Sequence, residues 1–272
     1  MNSANEPPVL VIAALLMALI LPLWSAHAQH ISLREKLDIL KQAYPEAIAN
    51  VEDKHIVLSD GAEMPIDDGV QKTHREKLKN ADIEDMLSQI YPLAQCYSGT
   101  PPRNFDPGRI RNDRLFRYLY GQVEAEARSN LIIIDWFGTR LPVTTRQGVD
   151  KALVKVRDEL SALPARYTSF FVKTAGTFNW RVIAGTKRLS VHSFGAAIDI
   201  NVKFADYWRW AGGKPGDVPE YKNKIPQEIV EIFERYGFIW GGKWYHFDTM
   251  HFEYRPELIA IGKRAAERGC AK

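Results

Sequence analysis

Two short stretches of the sequence hold the polar side chains that are best spaced to do chemistry. The first, SVHSFGAAIDIN (190–201), places His192 and Asp199 seven positions apart among small and apolar residues. Because side chains alternate along a strand, Asp199 is predicted to face away from the isoleucines beside it, on the cleft side of a sheet. A turn at Gly195 would bring His192 back beside Asp199. Such a pair can be a structural hydrogen bond, an acid/base dyad or part of a metal site.

The second stretch, WGGKWYHFDTMHFEYRP (240–256), adds another imidazole and another carboxylate, with Asp248 three residues before His251. Together, His192, Asp199 and His251 provide two imidazoles and one carboxylate. Three protein ligands of these types are what a catalytic zinc uses. The two stretches therefore favour a Zn²⁺ site over a purely structural pair.

Further residues of the same two stretches have predicted roles around this zinc. Asp248 is the expected general base, because zinc lowers the pKa of a water molecule toward 7 and a nearby carboxylate can take its proton. Glu253 or Asn201 could orient one of the metal-binding side chains through a hydrogen bond on the side away from the metal. Trp244 and His246 are candidates for the wall of a substrate groove, although both could equally be packing residues.

Taken together, the two stretches resemble the signatures S-x-H-x-x-G-x-A-x-D and D/E-x-x-H of a family of bacterial cell-wall metallopeptidases, the zinc D-alanyl-D-alanine carboxypeptidases and L-alanyl-D-glutamate endopeptidases. Spacing and order both match, and the resemblance covers roughly residues 130–262. It implies that His192, Asp199 and His251 bind Zn²⁺ and that Asp248 is the general acid/base. It also implies that the substrates are peptidoglycan stem peptides.

The resemblance implies substrate-binding residues as well. Ser190 matches a serine that the family associates with substrate binding. An arginine upstream of the first signature commonly polarises the scissile carbonyl; Arg181 is the first candidate here and Arg188 the second. Either guanidinium could stabilise the oxyanion of a tetrahedral intermediate. The peptide bond that is cleaved stays open.

Motifs of other hydrolases are missing from the sequence, including S-x-x-K, K-T-G, H-E-x-x-H and G-x-S-x-G, and there is no P-loop. The remaining alternative is a non-catalytic, zinc-stabilised module that binds cell-wall peptides. A site that has lost its activity is expected to lack the acid or a ligand, whereas all four residues are present. This favours an enzyme.

The apolar run VLVIAALLMALILPLW (9–24), followed by SAHA, predicts a secretory signal peptide over residues 1–28. Export would place the protein in the periplasm, the cell envelope or the extracellular medium. Because no Lys or Arg precedes the run, an uncleaved membrane anchor stays open. Membrane contact is expected only in that case.

Cysteine content and charge constrain the partners further. In an oxidising compartment, Cys96 and Cys270 could form one disulfide, although they could also be two separate thiols. The net charge is only +3, and the densest basic patch, RIRNDRLFR (109–117), is interpreted as a solvated helix face. No nucleic-acid partner is therefore expected.

The fold class predicted from these patterns is α+β, with a small mixed, mainly antiparallel sheet, packed helices and a zinc cleft. A content of 46% hydrophobic and 25% charged residues is that of a globular protein. The expected division is a mostly helical N-terminal extension over 29–125 and a zinc peptidase domain over 126–272. Apolar spacing and turn residues predict helices at 31–43, 79–93, 148–163, 226–238 and 256–269, a hairpin at 55–69, and strands at 131–137 and 170–175.

Overall fold

The computed structural model describes Met1, residues 30–183 and residues 186–270. The predicted signal peptide or anchor lies, apart from Met1, outside these residues. Within them, no helix is both long enough and apolar enough to cross a membrane. The helices are α1 (Leu33–Ala43), α2 (His74–Lys77), α3 (Ile83–Met86), α4 (Asp113–Tyr120), α5 (Glu124–Ser129), α6 (Val149–Ser161), α7 (Thr168–Phe171), α8 (Gln227–Arg235) and α9 (Pro256–Glu267). The strands are β1 (Ile48–Val51), β2 (His55–Leu58), β3 (Glu63–Pro65), β4 (Leu131–Trp136), β5 (Thr139–Thr144), β6 (Ala197–Asp199), β7 (Phe238–Trp240) and β8 (His251–Tyr254).

The α+β prediction is confirmed, and the strands of the described residues pair antiparallel throughout. They form a three-stranded sheet β1-β2-β3, a hairpin β4-β5 and a second three-stranded sheet in the order β6-β8-β7. The sheet β6-β8-β7 contains residues of both motif stretches, since β6 ends at Asp199 and β8 begins at His251. This sheet therefore positions the candidate site.

Helix α8 packs against the apolar side of that sheet, and the second amphipathic helix, α6, packs on α8 and on the hairpin β4-β5. Helix α6 buries Leu153, Val156 and Leu160, the face that the sequence spacing predicts. Helix α8 packs Phe233 against Phe252 of β8, with the two rings stacked at 3.9 Å between centroids. Burial of these apolar side chains holds β8 in place and leaves its other face for polar residues.

The N-terminal region contains the predicted helix α1 and the predicted hairpin, formed by β2 and β3, to which β1 adds a third strand. Helix α1 packs against α9, where the buried Tyr44 hydroxyl donates a 2.7 Å hydrogen bond to Glu257. Near the far end of α9, Cys96 and Cys270 lie at disulfide distance, with their Cα atoms 5.4 Å apart. The N-terminal region is thus joined to the C-terminal helix at both ends.

One predicted strand is wrong, and one predicted helix is much shorter than expected. The run at 170–175 contributes Phe170 and Phe171 to helix α7; a short apolar run does not distinguish strand from helix. The ring of Phe170 packs on that of Phe204, with 4.3 Å between the centroids, so this apolar side chain is partly buried although the segment is not a strand. The helix predicted at 79–93 is only α3. The Ser88 hydroxyl donates a 2.7 Å hydrogen bond to the carbonyl of Asp85, and this side-chain bond competes with continuation of the helix.

Candidate metal centre

The three side chains predicted to bind a metal converge at one point. Strands β6 and β8 pair with Asp199 directly opposite His251, and His192 enters from a one-turn 3₁₀ helix at 191–194. His192 Nε2 lies 3.1 Å from Asp199 Oδ1 and 3.1 Å from His251 Nδ1. Asp199 Oδ1 and His251 Nδ1 are 2.9 Å apart. One atom from each residue therefore faces a common centre.

The turn that returns His192 to this centre depends on the residues beside it. The Ser190 hydroxyl caps the 3₁₀ helix by accepting a 3.4 Å hydrogen bond from the backbone N–H of His192. Gly195 ends it with φ +67°, and a Cβ at this position would lie 2.6 Å from Leu131 Cδ2. The positive φ and a second close approach, 3.1 Å to the backbone nitrogen of Thr144, favour glycine in this turn, which brings His192 next to Asp199.

Hydrogen bonds on the outer side of the two imidazoles determine which nitrogens carry protons. His192 Nδ1 lies 3.0 Å from the carbonyl oxygen of Thr177, which can only accept, so Nδ1 donates. His251 Nε2 lies 3.1 Å from a carboxylate oxygen of Glu253 and donates to it. Without a metal, burial acts to lower the pKa of His251, but hydrogen bonds to Asp199 and Glu253 outweigh it and raise the pKa to about 10, so the inner nitrogen of His251 carries a proton. A bound metal would displace the inner protons, and the two nitrogens that face Asp199 would then supply lone pairs, the arrangement that metal-binding histidines adopt.

The donor set fits a zinc ion. Donors held about 2.0–2.1 Å from a tetrahedral Zn²⁺ lie about 3.3 Å apart, close to the separations of 2.9–3.1 Å found here. Burial acts to raise the pKa of Asp199, but hydrogen bonds and charges from the two histidines hold it well below its usual range. Burial acts likewise on Glu253, yet His251 and Arg255 lower its pKa to about 2. Both carboxylates are thus ionised, as a cation site needs.

Asp248 stands beside this centre with one oxygen uncommitted. Its backbone N–H donates to the carbonyl of Gly241 at 3.0 Å, and its backbone bridges to Tyr207. Its side-chain Oδ1 is buried and has no hydrogen-bond partner among the described residues. Burial, together with the charge of Asp199, raises the pKa of Asp248 to about 6. A carboxylate of this kind can take up and release a proton near neutral pH.

A pocket opens over the three donors and Asp248, and several predicted site residues line it. Ser190, Arg181, Arg188 and Trp244 all do so, together with Arg109 and Arg111. The Arg181 guanidinium is exposed and makes no hydrogen bond or ion pair with any described residue. Arg181 is therefore available to a substrate.

Arg188, also predicted to bind substrate, is buried and largely committed to the protein. Its Nη1 and Nη2 donate to the backbone carbonyls of Arg111 at 3.2 Å and Arg109 at 3.1 Å. Burial, reinforced by the like charges of Arg111 and Arg109, lowers the pKa of Arg188 to about 9. It stays charged at neutral pH and holds the 109–111 segment against the pocket.

His246 is not among the described residues that line this pocket, although it was predicted to bind substrate. Its Nδ1 lies 2.8 Å from Asp106 Oδ2, and the same oxygen lies 2.7 Å from His74 Nε2. His246 Nε2 accepts a 3.1 Å hydrogen bond from the backbone N–H of Gly216, so the proton of the neutral ring sits on Nδ1 and points at Asp106. This second His-Asp-His group is a hydrogen-bonded cluster in which Asp106 joins His74 to His246.

Comparison with known proteins bears on the first of these two groups. Residues 184–254 match the family model described as D-alanyl-D-alanine carboxypeptidase. The resemblance found in the sequence is confirmed. The matched segment holds the three converging donors and Asp248, and it supports a peptidase acting on peptidoglycan peptides, of a family that uses zinc. No curated protein and no solved structure matched the chain.

Two arginines of the pocket were missed in the sequence. Arg109 and Arg111 belong to the patch interpreted as a solvated helix face, but α4 begins only at Asp113. Arg111 is 2% exposed and Arg109 is half-buried at the pocket wall. The available signal was the dense arginine pattern directly after the Pro- and Gly-rich connector at 97–109.

Proposed function

We propose that this protein is an exported, zinc-dependent peptidase that hydrolyses a peptide bond of peptidoglycan stem peptides. The observation that carries the proposal is the convergence of two imidazole nitrogens and one carboxylate oxygen beside the unpartnered carboxylate oxygen of Asp248. A buried metal-ligand triad next to a free carboxylate, at the base of a polar pocket, is the constellation of a metal-assisted hydrolase.

Each residue then has a role that follows from its surroundings. His192, Asp199 and His251 hold Zn²⁺, which, when bound, supplies a Lewis acid that polarises a carbonyl and lowers the pKa of water. Asp248 accepts the proton of the attacking water and returns it to the leaving amine. Arg181, whose guanidinium has no hydrogen-bond partner among the described residues, donates hydrogen bonds to the developing oxyanion.

A non-catalytic module that binds cell-wall peptides is the second candidate. It would need the same zinc ligands and the same pocket, but it would have no use for a base. Asp248 argues against it, because a buried carboxylate oxygen without a partner lowers the stability of the fold and is expected to be kept for a function.

The test is incubation of the purified protein with defined muropeptides, followed by mass spectrometry. We expect loss of a terminal D-Ala or cleavage between L-Ala and D-Glu, inhibition by a chelator, and recovery on adding zinc. Hydrolysis by a protein shown to be metal-free would contradict the zinc role. Stoichiometric peptide binding without turnover would favour the non-catalytic module.

Export is supported by the apolar run at 9–24 and by the Cys96–Cys270 pair, because disulfides persist in oxidising compartments. Cell fractionation and N-terminal sequencing test it. We expect a mature N-terminus at Gln29 in the periplasmic or extracellular fraction. Recovery of intact Met1 in the membrane fraction would indicate the uncleaved anchor, and recovery in the cytoplasm would contradict export.

A further inference from the structure

The segment 105–111, which lies outside the matched segment, forms one wall of the pocket. The indole N–H of Trp244 donates to the carbonyl of Pro107 at 2.6 Å. Arg255 Nη1 donates to the carbonyl of Gly108 at 2.9 Å. These bonds connect residues more than a hundred positions apart in the chain, so the wall is built by the tertiary fold.

Two of the pocket arginines hold this wall in place. Arg188 donates to the carbonyls of Arg109 and Arg111, and Arg111 Nη2 donates in return to the carbonyl of Leu189. Because their terminal nitrogens are used on backbone carbonyls, Arg111 and Arg188 are positioning residues. The segment that carries Arg109 is thereby fixed opposite the metal-ligand triad.

Arg109 itself is held in position but not saturated with hydrogen bonds. Its guanidinium carbon lies 5.3 Å from the ring centroid of Trp244, and Nη1 makes a 3.4 Å hydrogen bond to the carbonyl of His246. Its Nε is buried and has no hydrogen-bond partner among the described residues. The Asp106 carboxylate lies 3.9 Å from that nitrogen, beyond hydrogen-bond distance. The Nη2 nitrogen makes no hydrogen bond with a described residue and, unlike Nε, is not fully buried, so Arg109 keeps donor capacity there.

The charge balance of the pocket calls for an anion. Four guanidiniums line it, and Asp106 and Asp113 lie 3.9 and 3.6 Å from those of Arg109 and Arg111. Of the three carboxylates that line the pocket, Asp199 belongs to the triad and Glu253 is paired with His251 and Arg255. A bound zinc ion would add two positive charges. Like charges brought together with little water repel one another, and an anionic ligand would relieve that repulsion.

We propose that Arg109 binds a carboxylate of the substrate that lies next to the scissile bond. This inference rests on the proposed function and adds to it that the substrate is anionic and that the N-terminal region completes the substrate site. Two carboxylates of stem peptides have the required chemistry, namely the C-terminal carboxylate of D-Ala-D-Ala and the free carboxylate of the D-Glu residue. An arginine can bind either of them through two parallel hydrogen bonds.

The experiment measures each protein variant on charged and uncharged forms of the same substrate. N-acetyl-D-Ala-D-Ala and an L-Ala-D-Glu peptide are each compared with the form in which the carboxylate in question is an amide. The variants are Arg109→Met, which removes the charge, and Arg109→Lys, which keeps it without the planar fork. Arg75→Met, at an exposed arginine of the same N-terminal region, is the matched control.

We expect the wild-type protein to prefer one acid over its amide, and the preferred pair identifies which carboxylate is bound. Arg109→Met should raise KM for that acid about 10- to 100-fold, with kcat changed only a few-fold and the amide unaffected. Arg109→Lys should fall between the two, and Arg75→Met should match the wild type. Equal losses on acid and amide, or no preference in the wild type, would overturn the inference.

A binding measurement separates this inference from the proposed function. If the zinc-loaded wild-type protein hydrolyses none of the peptides, the proposed function fails, and calorimetric titration with the same acid and amide pairs still tests Arg109. Tighter binding of the acid that is lost in Arg109→Met supports the inference, and equal binding overturns it. Thermal denaturation shows whether Arg109→Met is folded; if it is not, Arg109→Lys decides.

Discussion

The two His-Asp-His groups of this protein contain the same residue types but differ in the hydrogen-bond partners on their outer side. In the first group the outer partners are acceptors, the Thr177 carbonyl and the Glu253 carboxylate. In the second the partner is a donor, the N–H of Gly216. The acceptors keep a proton on each outer nitrogen, so the inner nitrogens of the first group can give lone pairs to a metal, whereas the proton of the neutral His246 ring sits on its inner nitrogen. Only the first group is therefore prepared for a metal.

This difference predicts where zinc binds. His251→Ala should lose the bound zinc, because a site reduced from three ligands to two holds the ion poorly. His74→Ala, the matched change in the second group, should retain it. Metal analysis of the purified variants by mass spectrometry checks both. Zinc lost from His74→Ala and kept by His251→Ala would reverse the assignment.

A second prediction separates the base from the ligands. Asp248→Asn keeps the size and shape of the side chain but cannot accept a proton, so kcat should fall about 10²- to 10⁴-fold while zinc remains bound. Hydrolysis rate and metal content are measured on the same sample. A near-normal rate would remove Asp248 from the mechanism, and loss of zinc would make it a ligand.

At the scale of elements, the candidate site depends on one strand pairing and one tight turn. The pairing of β6 with β8 sets Asp199 opposite His251, so a shift of one residue would turn one of them to the other face. The turn at Gly195 brings in His192. Helix α8 packs against the apolar side of the sheet, and α6 packs on α8, so the two helices support the register without contributing a donor.

Gly195→Ala tests the turn. The new Cβ would meet Leu131 Cδ2 at 2.6 Å and the backbone nitrogen of Thr144 at 3.1 Å, in a residue with φ +67°. We expect the free energy of unfolding to fall by about 2–4 kcal/mol and zinc binding to weaken.

Gly138→Ala is the control for that experiment. Gly138 has φ +83°, and a Cβ added there would meet nothing within 4 Å, so only the backbone cost of about 1 kcal/mol should appear. Denaturant unfolding of the two variants gives the difference. Equal losses of stability in both would show that the close approach at Gly195 is relieved by movement of its neighbours.

At the scale of the whole molecule, the N-terminal region is part of the pocket and of its support. Asp106 joins this region to the loop after β7 through His246, and to the start of α2 through His74. Arg109, three residues later, reaches the pocket. A protein that lacks residues 29–125 would lose this wall. The N-terminal extension and the peptidase domain are therefore expected to function only together.

The Asp106 cluster predicts a dependence of stability on pH. Burial acts to raise the pKa of Asp106, but hydrogen bonds from His246 and His74 and the charge of Arg109 hold it well below its usual range. Below about pH 4 the unfolded chain binds a proton at this residue that the folded protein does not. The stabilisation is therefore complete above about pH 4 and is lost as the pH falls further.

Urea unfolding of the wild type and Asp106→Asn over a pH series measures this contribution. The variant should be less stable at pH 7 by about 2–5 kcal/mol, because the bonds to both histidines weaken. The difference between the two proteins should shrink as the pH falls below 4. Asp53→Asn, which changes an exposed carboxylate of the same region, should follow the wild type. A difference that is constant with pH would argue against an ionised Asp106.

The sequence by itself determined the α+β class, the hairpin at Asp60-Gly61 and the set of side chains that meet at the candidate metal centre. These features rest on local rules, namely the alternation of side chains along a strand, the positive φ of glycine and a motif with fixed spacing. His192, Asp199 and His251 come together because strand pairing and one turn are enough to place them.

Only the tertiary structure decided what surrounds that centre. The sequence pattern around Arg109 and Arg111 is that of a helix face. The position of His246 in a loop does not indicate that it contacts Asp106 and Gly216. Their positions depend on contacts across large sequence separations, such as the bond from Arg109 to the carbonyl of His246, 137 residues away. Such contacts form because packing of the helices and sheets around the core brings certain segments next to one another. Neither periodicity nor spacing along the chain indicates which segments become neighbours.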